Sequence, residues 1–192
     1  AGKYYSFLFY EDEMQKAGLD PVESVKSLED LDKFLADLKA YIEGGTEFSY
    51  IFDIGWDSWF DGSVLLQSFA VALGFDGQDM EDVFMGNIRW DDVDKNPYAA
   101  AFKLLKEYYD KGYLPEKWWT RSWDKDYEPG FIAKKSILAF HGPWLWTKVL
   151  AANPDAKLSG FPLPMNDDGK IWSGASTAVE GACMFDCNKD KP

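Results

Sequence analysis

Residues 131–146 read FIAKKSILAFHGPWLW, and the organisation of the chain can be worked out from them. Ser136 to Phe140 is an apolar run without a turn former, which predicts a buried strand. Gly142 and Pro143 turn that strand, and Trp144 to Ala152 predicts a helix behind the turn. A short helix through Phe131 and Ile132 precedes the strand. Two tryptophans at a strand-to-helix corner are either a packing anchor or a flat surface offered to a ligand, because indole is large and seldom wholly buried.

The same alternation continues upstream. KYYSFLFY (3–10) is apolar and turn-free and predicts a buried strand, followed by a short helix ending at Gly18. Ser27 begins the clearest helix, with Leu28, Leu31, Phe34, Leu35, Leu38, Tyr41 and Ile42 on one face. Ser27 and Asp30 fit a capping pattern, and Gly44-Gly45 stops the helix. FSYIF (48–52) predicts a short strand, Gly55 to Gly62 a loop at its carboxyl end, and residues 63–74 a buried helix. Residues 75–93 are acidic and turn-rich and predict an irregular excursion with room for a small hairpin. Asn96 and Pro97 open a helix whose buried stripe is Tyr98, Ala101, Phe102, Leu105, Tyr108 and Tyr109. Residues 113–130 predict an aromatic loop, 158–164 an extended segment, NDDG (166–169) a turn and 176–186 a last strand. Such a pattern predicts an α/β domain with a largely buried sheet, in which ligands sit beyond strand carboxyl ends. Gly55 to Gly62 and His141 to Trp146 are the aromatic loops at such ends.

The 192 residues suit a single domain able to bury most of its surface. No run approaches eighteen apolar residues, and AGKYYSFLFYEDE lacks the basic-then-apolar order of a signal peptide. A formal net charge of -13 disfavours nucleic acid and anionic membranes as partners. Of the 9 Trp, 10 Tyr and 14 Phe a core needs some, but nine tryptophans exceed what packing alone asks for. Cys183 and Cys187 would stand about 13 Å apart in a strand, too far for a disulfide, and read as two small buried thiols. With His141 as the sole histidine, no zinc set forms. Neither a metal nor an organic cofactor is expected.

The order of these elements resembles the extracellular solute-binding proteins of sugar importers, the family that includes maltose-binding protein. YYSFLFYEDEMQKAGLDP (4–21) is similar to the segment by which a strand enters the family's second lobe and continues as a helix. KSLEDLDKFLADLKAY (26–41) resembles the helix that follows, although ESVKS replaces the usual Pro-x-Thr-Trp entry. FIAKKSILAFHGPWLW matches the most specific pattern, with Lys134 or Lys135 where glycine is common, and GFPLPMNDDG (160–169) matches the PLP segment.

The resemblance implies that residues 1–192 form one α/β lobe of a type II periplasmic-binding-protein fold, a small mixed sheet flanked by helices. The first lobe and the terminal helices of the whole protein are expected to lie outside this sequence. It further implies a non-enzymatic role: an ABC-importer component that takes a sugar or oligosaccharide in an interlobe cleft and delivers it to a permease. Such a protein is expected to be a monomer in the periplasm, or on the extracellular face of the cell membrane through a lipid anchor. The resemblance assigns sugar stacking to Trp144, and a carboxylate and an aromatic to the loop of Trp56, Asp57, Trp59 and Phe60. Trp146 reads as a packing anchor. His141 either hydrogen-bonds a ligand hydroxyl or is a buried strand-end residue. Trp118, Trp119 and Trp123 either line the cleft or stabilise their loop, and Trp172 and Ser173 could edge the cleft. The rival readings are a glycosidase and a stand-alone glycan-binding module. A glycosidase needs two carboxylates flanking a bond, and among Asp57, Asp61, Asp124 and Asp126 no spacing singles out a pair.

Overall fold

A computed structural model describes residues 5–57 and 59–164, with the backbone alone for 59–63. The turn and last strand expected beyond residue 164, with Trp172, Ser173, Cys183 and Cys187, lie outside the described residues.

The organising element is β1 (Ser6–Tyr10), which among the described residues is the central strand of a three-stranded sheet of order β2-β1-β3. Both β2 (Leu138–His141) and β3 (Leu158–Phe161) run antiparallel to it, with Ser6 opposite His141 and Tyr10 opposite Leu158. Because side chains alternate along a strand, an unbroken apolar run can bury both faces at once. Phe7 and Phe9 enter the larger core and Leu8 and Tyr10 the smaller one. The same alternation sends Leu138 and Phe140 of β2 to the larger core and Ala139 to the smaller.

On the first face Phe7 stacks on Phe161 at 5.2 Å and meets Phe140 edge-on at 5.1 Å. This layer is closed by α3 (Leu28–Glu43), α4 (Trp59–Ala72) and α6 (Pro97–Asp110). Leu31, Phe34, Leu35 and Leu38 of α3 are buried, as their spacing requires, and Phe34 meets Phe161 edge-on at 5.6 Å. On the second face α7 (Glu128–Ile132) and α8 (Trp144–Ala152) supply Phe131, Leu145 and Val149. Two tyrosines tie this layer to carbonyls: Tyr10 donates to Phe131 O at 2.8 Å and Tyr127 to Phe140 O at 2.5 Å. Before α3 come α1 (Glu11–Ala17), closed by Gly18 at φ 70°, and the single turn α2 (Pro21–Ser24).

Several elements depart from the sequence-based expectation. Residues 48–52 make one parallel bridge, Tyr50 to Ser136, instead of a strand. Ile137 and Leu138 both donate to Ile51 O, while Phe52 N–H goes to Tyr113 O, so no ladder propagates. The parallel part of the small mixed sheet is thus a single bridge, and its described ladders are antiparallel. The excursion after Gly74 holds a helix, α5 (Gly77–Phe84), nucleated by a reciprocal capping box between Asp76 and Asp79. Helix α4 starts at Trp59, so the loop before it is shorter than expected. Residues 118–127 contain a 3-10 turn (Trp118–Thr120) and a π-helical turn (Trp123–Tyr127). Phe102 is 43% exposed, lying over Trp56 at 5.5 Å outside the buried stripe.

Candidate functional site

The carboxyl end of β2 and the amino end of β1 meet at the corner His141-Gly142-Pro143-Trp144, where α8 begins. The Trp144 indole folds back over this corner, and its six-membered ring occupies the space a Cβ on Gly142 would take. Only glycine permits that approach. The half-buried indole meets Tyr5 edge-on at 5.4 Å and His141 at 5.1 Å and 62°.

His141 is wholly buried beneath this surface. Its Nδ1 is 2.9 Å from Gly142 O, and its Nε2 lies 3.2 Å from Glu128 Oε1, close enough for an ion pair but poorly aligned for a hydrogen bond. Lys148 Nζ donates to the other oxygen of Glu128. Burial pushes the Glu128 carboxyl up, yet His141 and Lys148 together hold it below the usual glutamate range.

Trp123 completes the aromatic row. Its ring stacks on His141 with centroids 4.4 Å apart, and Tyr127 meets it edge-on at 5.1 Å. The loop of residues 53–57 closes against it: a Cβ on Gly55 would fall 2.8 Å from Trp123 Cα and 2.9 Å from Cε3. Trp123 N–H donates to Asp57 Oδ1 at 2.7 Å, and Asp57 N–H points at Arg121 O at 3.4 Å. Below this exchange Asp53, 1% exposed, is ion-paired with Arg121 Nε, and Arg121 Nη2 donates to the Tyr50 hydroxyl at 2.9 Å. Burial lifts the Asp53 carboxyl above the usual range in spite of Arg121, and burial followed by Asp53 pushes the Tyr50 phenol up to about 12.

The sequence candidates are therefore sorted by geometry. Trp144, His141, Trp123 and Asp57 come together at one end of the sheet. His141 is interior to that group, with both ring nitrogens turned toward protein oxygens. Trp56 points elsewhere, edge-on to Trp118 at 5.0 Å and to Phe102. Trp59 and Phe60 belong to the first turn of α4, and their side chains lie outside what is described. Trp118 and Trp119 part from Trp123 and pack with Trp56 and Tyr109. Trp146 packs against the smaller core, as an anchor should. Sequence reasoning missed Tyr5, Asp53, Arg121 and Glu128. Asp53 carried a legible signal, a lone carboxylate closing an apolar run, since a buried charge requires a partner. A separate groove lined by Phe9, Glu11, Met14, Leu19 and Pro21 opens at the opposite end of β1 and holds none of the candidates.

Among the described residues no three His, Cys, Asp or Glu side chains are placed to hold a metal ion, and no helix is long and apolar enough to cross a membrane. The corner can grip by stacking and by hydrogen bonding.

A sheet between two helical layers, with an aromatic corner at one end, is the architecture of one lobe of a periplasmic-binding-protein-like fold. Residues 1–191 match the family of bacterial extracellular solute-binding proteins, and the chain belongs to that family. Solved structures share the fold. A Bacillus licheniformis sugar transporter in complex with stachyose is 17% identical with TM-score 0.62, covering 87% of this chain and 41% of its own. A chitin oligosaccharide binding protein is 21% identical with TM-score 0.65, covering 86% and 39%. A family 1 extracellular solute-binding protein from Bifidobacterium longum subsp. infantis is 22% identical with TM-score 0.62, covering 85% and 40%. The chain thus spans about two fifths of the length of these structures. No curated protein matches it. The family and these neighbours are described by binding and transport, not by catalysis.

Proposed function

We propose that the chain is the second lobe of a two-lobe carbohydrate receptor, the binding component of an ABC importer. It captures a sugar or oligosaccharide between its lobes outside the cytoplasmic membrane and delivers it to a permease. The observation that carries this reading is the Trp144 corner: a half-exposed indole backed by Tyr5 and His141 and seated over Gly142. A pyranose offers a face of C–H groups, and an indole already fixed in place loses little freedom in meeting it. Trp123 adds a second aromatic surface on the same row, and Asp57 a carboxylate suited to sugar hydroxyls. His141 and Tyr5 act from beneath, holding the rings. The stachyose complex and the chitin oligosaccharide binding protein support a carbohydrate as the solute.

Capture proceeds without chemistry: the lobes close on the sugar by hinge motion, and the closed form is what the permease receives. Two carboxylates that a glycosidase reading would use, Asp57 and Asp126, each accept a backbone N–H, from Trp123 and Ser122.

The test is a tryptophan-fluorescence titration of the full-length protein against mono- and oligosaccharides, with Trp144→Ala alongside and the sugars assayed for cleavage. Saturable quenching by one glycan, lost in the variant and with the glycan intact, is expected. Silence across the panel overturns the carbohydrate reading, and cleavage overturns the receptor one.

A further inference from the structure

The two aromatic surfaces of the corner come from distant parts of the chain. Trp144 is fixed by its own strand end, through Gly142, Tyr5 and His141. Trp123 shares the His141 ring and meets Tyr127, but its backbone opens a π-helical turn with no side-chain cap. What holds that backbone is contact with residues 53–57: Gly55 against the Trp123 Cα and ring, and Asp57 Oδ1 on its N–H.

Those two segments are joined underneath by a charged link. Asp53 and Arg121 pair, Arg121 Nη2 reaches the Tyr50 hydroxyl, and the Arg121 guanidinium lies over the Tyr50 ring at 5.2 Å. Tyr50 is itself seated against Gly130, where a Cβ would fall 2.7 Å from its hydroxyl. Asp53 also takes the Ile54 N–H at 2.7 Å. Arg121 is two residues from Trp123 and its carbonyl faces Asp57 N–H, so shifting the guanidinium moves the whole exchange.

We infer that the Asp53–Arg121 pair is a positioning element of the ligand site: it touches no sugar, but it sets where the Trp123 indole stands relative to Trp144. The inference rests on the reading of the corner as a carbohydrate site. A purely stabilising role accounts for the pair poorly. A buried ion pair is weak support for a fold, because desolvation offsets its attraction, and the carboxyl here is lifted above its usual range even with arginine present. What apolar side chains could not reproduce is the fork geometry, in which Nε and Nη2 hold two partners at once. Lysine keeps the charge and loses the fork.

The experiment uses full-length protein labelled with 5-fluorotryptophan, with the Trp123 and Trp144 resonances assigned by Trp→Phe variants. In Arg121→Lys the Trp123 resonance should move in the absence of any sugar while that of Trp144 stays in place. Affinity for whichever oligosaccharide of the panel quenches the wild type should fall about tenfold. That loss should vanish in a Trp123→Ala background, a coupling that a merely structural role does not produce. Should Arg121→Lys fail to fold, Asp53→Asn with Arg121→Gln removes both charges while keeping polar side chains at both positions, and the same readings apply. An unmoved Trp123 resonance, or affinity losses that simply add, overturns the positioning role. If Trp144→Ala binds like wild type, the functional reading fails instead, and the sugar-free resonance still decides where Trp123 is held.

Discussion

The indole of Trp123 lies within 25° of parallel to the imidazole of His141, ring centroids 4.4 Å apart, while Trp144 meets the same imidazole from another side at 5.1 Å. One buried ring thus supports two half-exposed ones. His141→Ala should leave a void beneath both, costing about 2–4 kcal/mol of stability in urea unfolding, together with most of the sugar affinity. His141→Phe restores a ring of similar breadth and should recover affinity, though not all the stability, because Glu128 loses a partner. Equal affinity in the two variants would mean that ring support is not what His141 contributes.

Gly142→Ala isolates the Trp144 contact. Gly142 is not among the glycines held at positive φ, so alanine meets no backbone penalty there and its cost is steric. The added methyl needs the volume of the indole. Overpacking of this kind costs about 1–3 kcal/mol, and the indole should swing off the corner with a change in its emission. In a Trp144→Ala background the same substitution should be nearly silent. A full cost in both backgrounds would place the clash elsewhere.

How much of this was legible in the sequence depended on whether the signal was local. The Ser27 cap and the α3 stripe were readable, because cap and period lie within one element, and Asp30 N–H does donate to Ser27 Oγ at 3.1 Å. The strand-turn-helix at 136–152 was readable for the same reason, and with it Trp144. Residues 48–52 form an isolated bridge instead of the expected strand: apolar content says a segment is buried, not that a partner strand is free to pair along it. The Asp76 capping box is hidden among turn formers in the sequence. Trp56 and Trp123 could not be told apart by sequence: both lie in aromatic loops, and what separates them is that Gly55 leaves room for one ring while Trp118 and Phe102 take the other. Arg121 became significant only once the fold carried it to Asp53, sixty-eight residues away.

Glu128 should govern part of the acid sensitivity. Its folded carboxyl titrates below the ordinary value of 4.5, so in that range the unfolded chain binds a proton that the folded protein refuses. The stabilisation from this group is therefore whole above the ordinary value and is lost as pH falls through the folded one. Glu128→Gln should lower stability near neutrality by about 1–3 kcal/mol, for loss of the Lys148 bond and the contact with His141, and should flatten the decline in urea midpoint as pH falls below the ordinary value of 4.5. An unchanged acid slope in the variant would assign that sensitivity to other carboxylates.

Lys134 occupies a left-handed conformation, φ 56°, and is one of two lysines, with Lys135, standing where the resembled pattern tends to carry glycine. Its ammonium lies 3.2 Å from the buried Glu13, 3.8 Å from Asp12 and from Glu47, and 5.0 Å over the Tyr10 ring. Two opposed effects can be separated by two substitutions. Lys134→Ala discards the charge contacts and keeps the unfavourable backbone, whereas Lys134→Gly discards the same contacts and relieves it. Left-handed geometry costs a residue with a Cβ about 1 kcal/mol, and a partly exposed ion pair contributes up to about 1 kcal/mol. Lys134→Gly should therefore unfold close to wild type and Lys134→Ala about 1 kcal/mol below it, a gap that 1 M salt leaves in place because it is steric. Lys16, 2.8 Å from Glu13, keeps that carboxylate paired in both variants and makes the comparison fair. An alanine variant as stable as the glycine one would show that the left-handed turn costs nothing here, and a gap that salt abolishes would show that it is electrostatic.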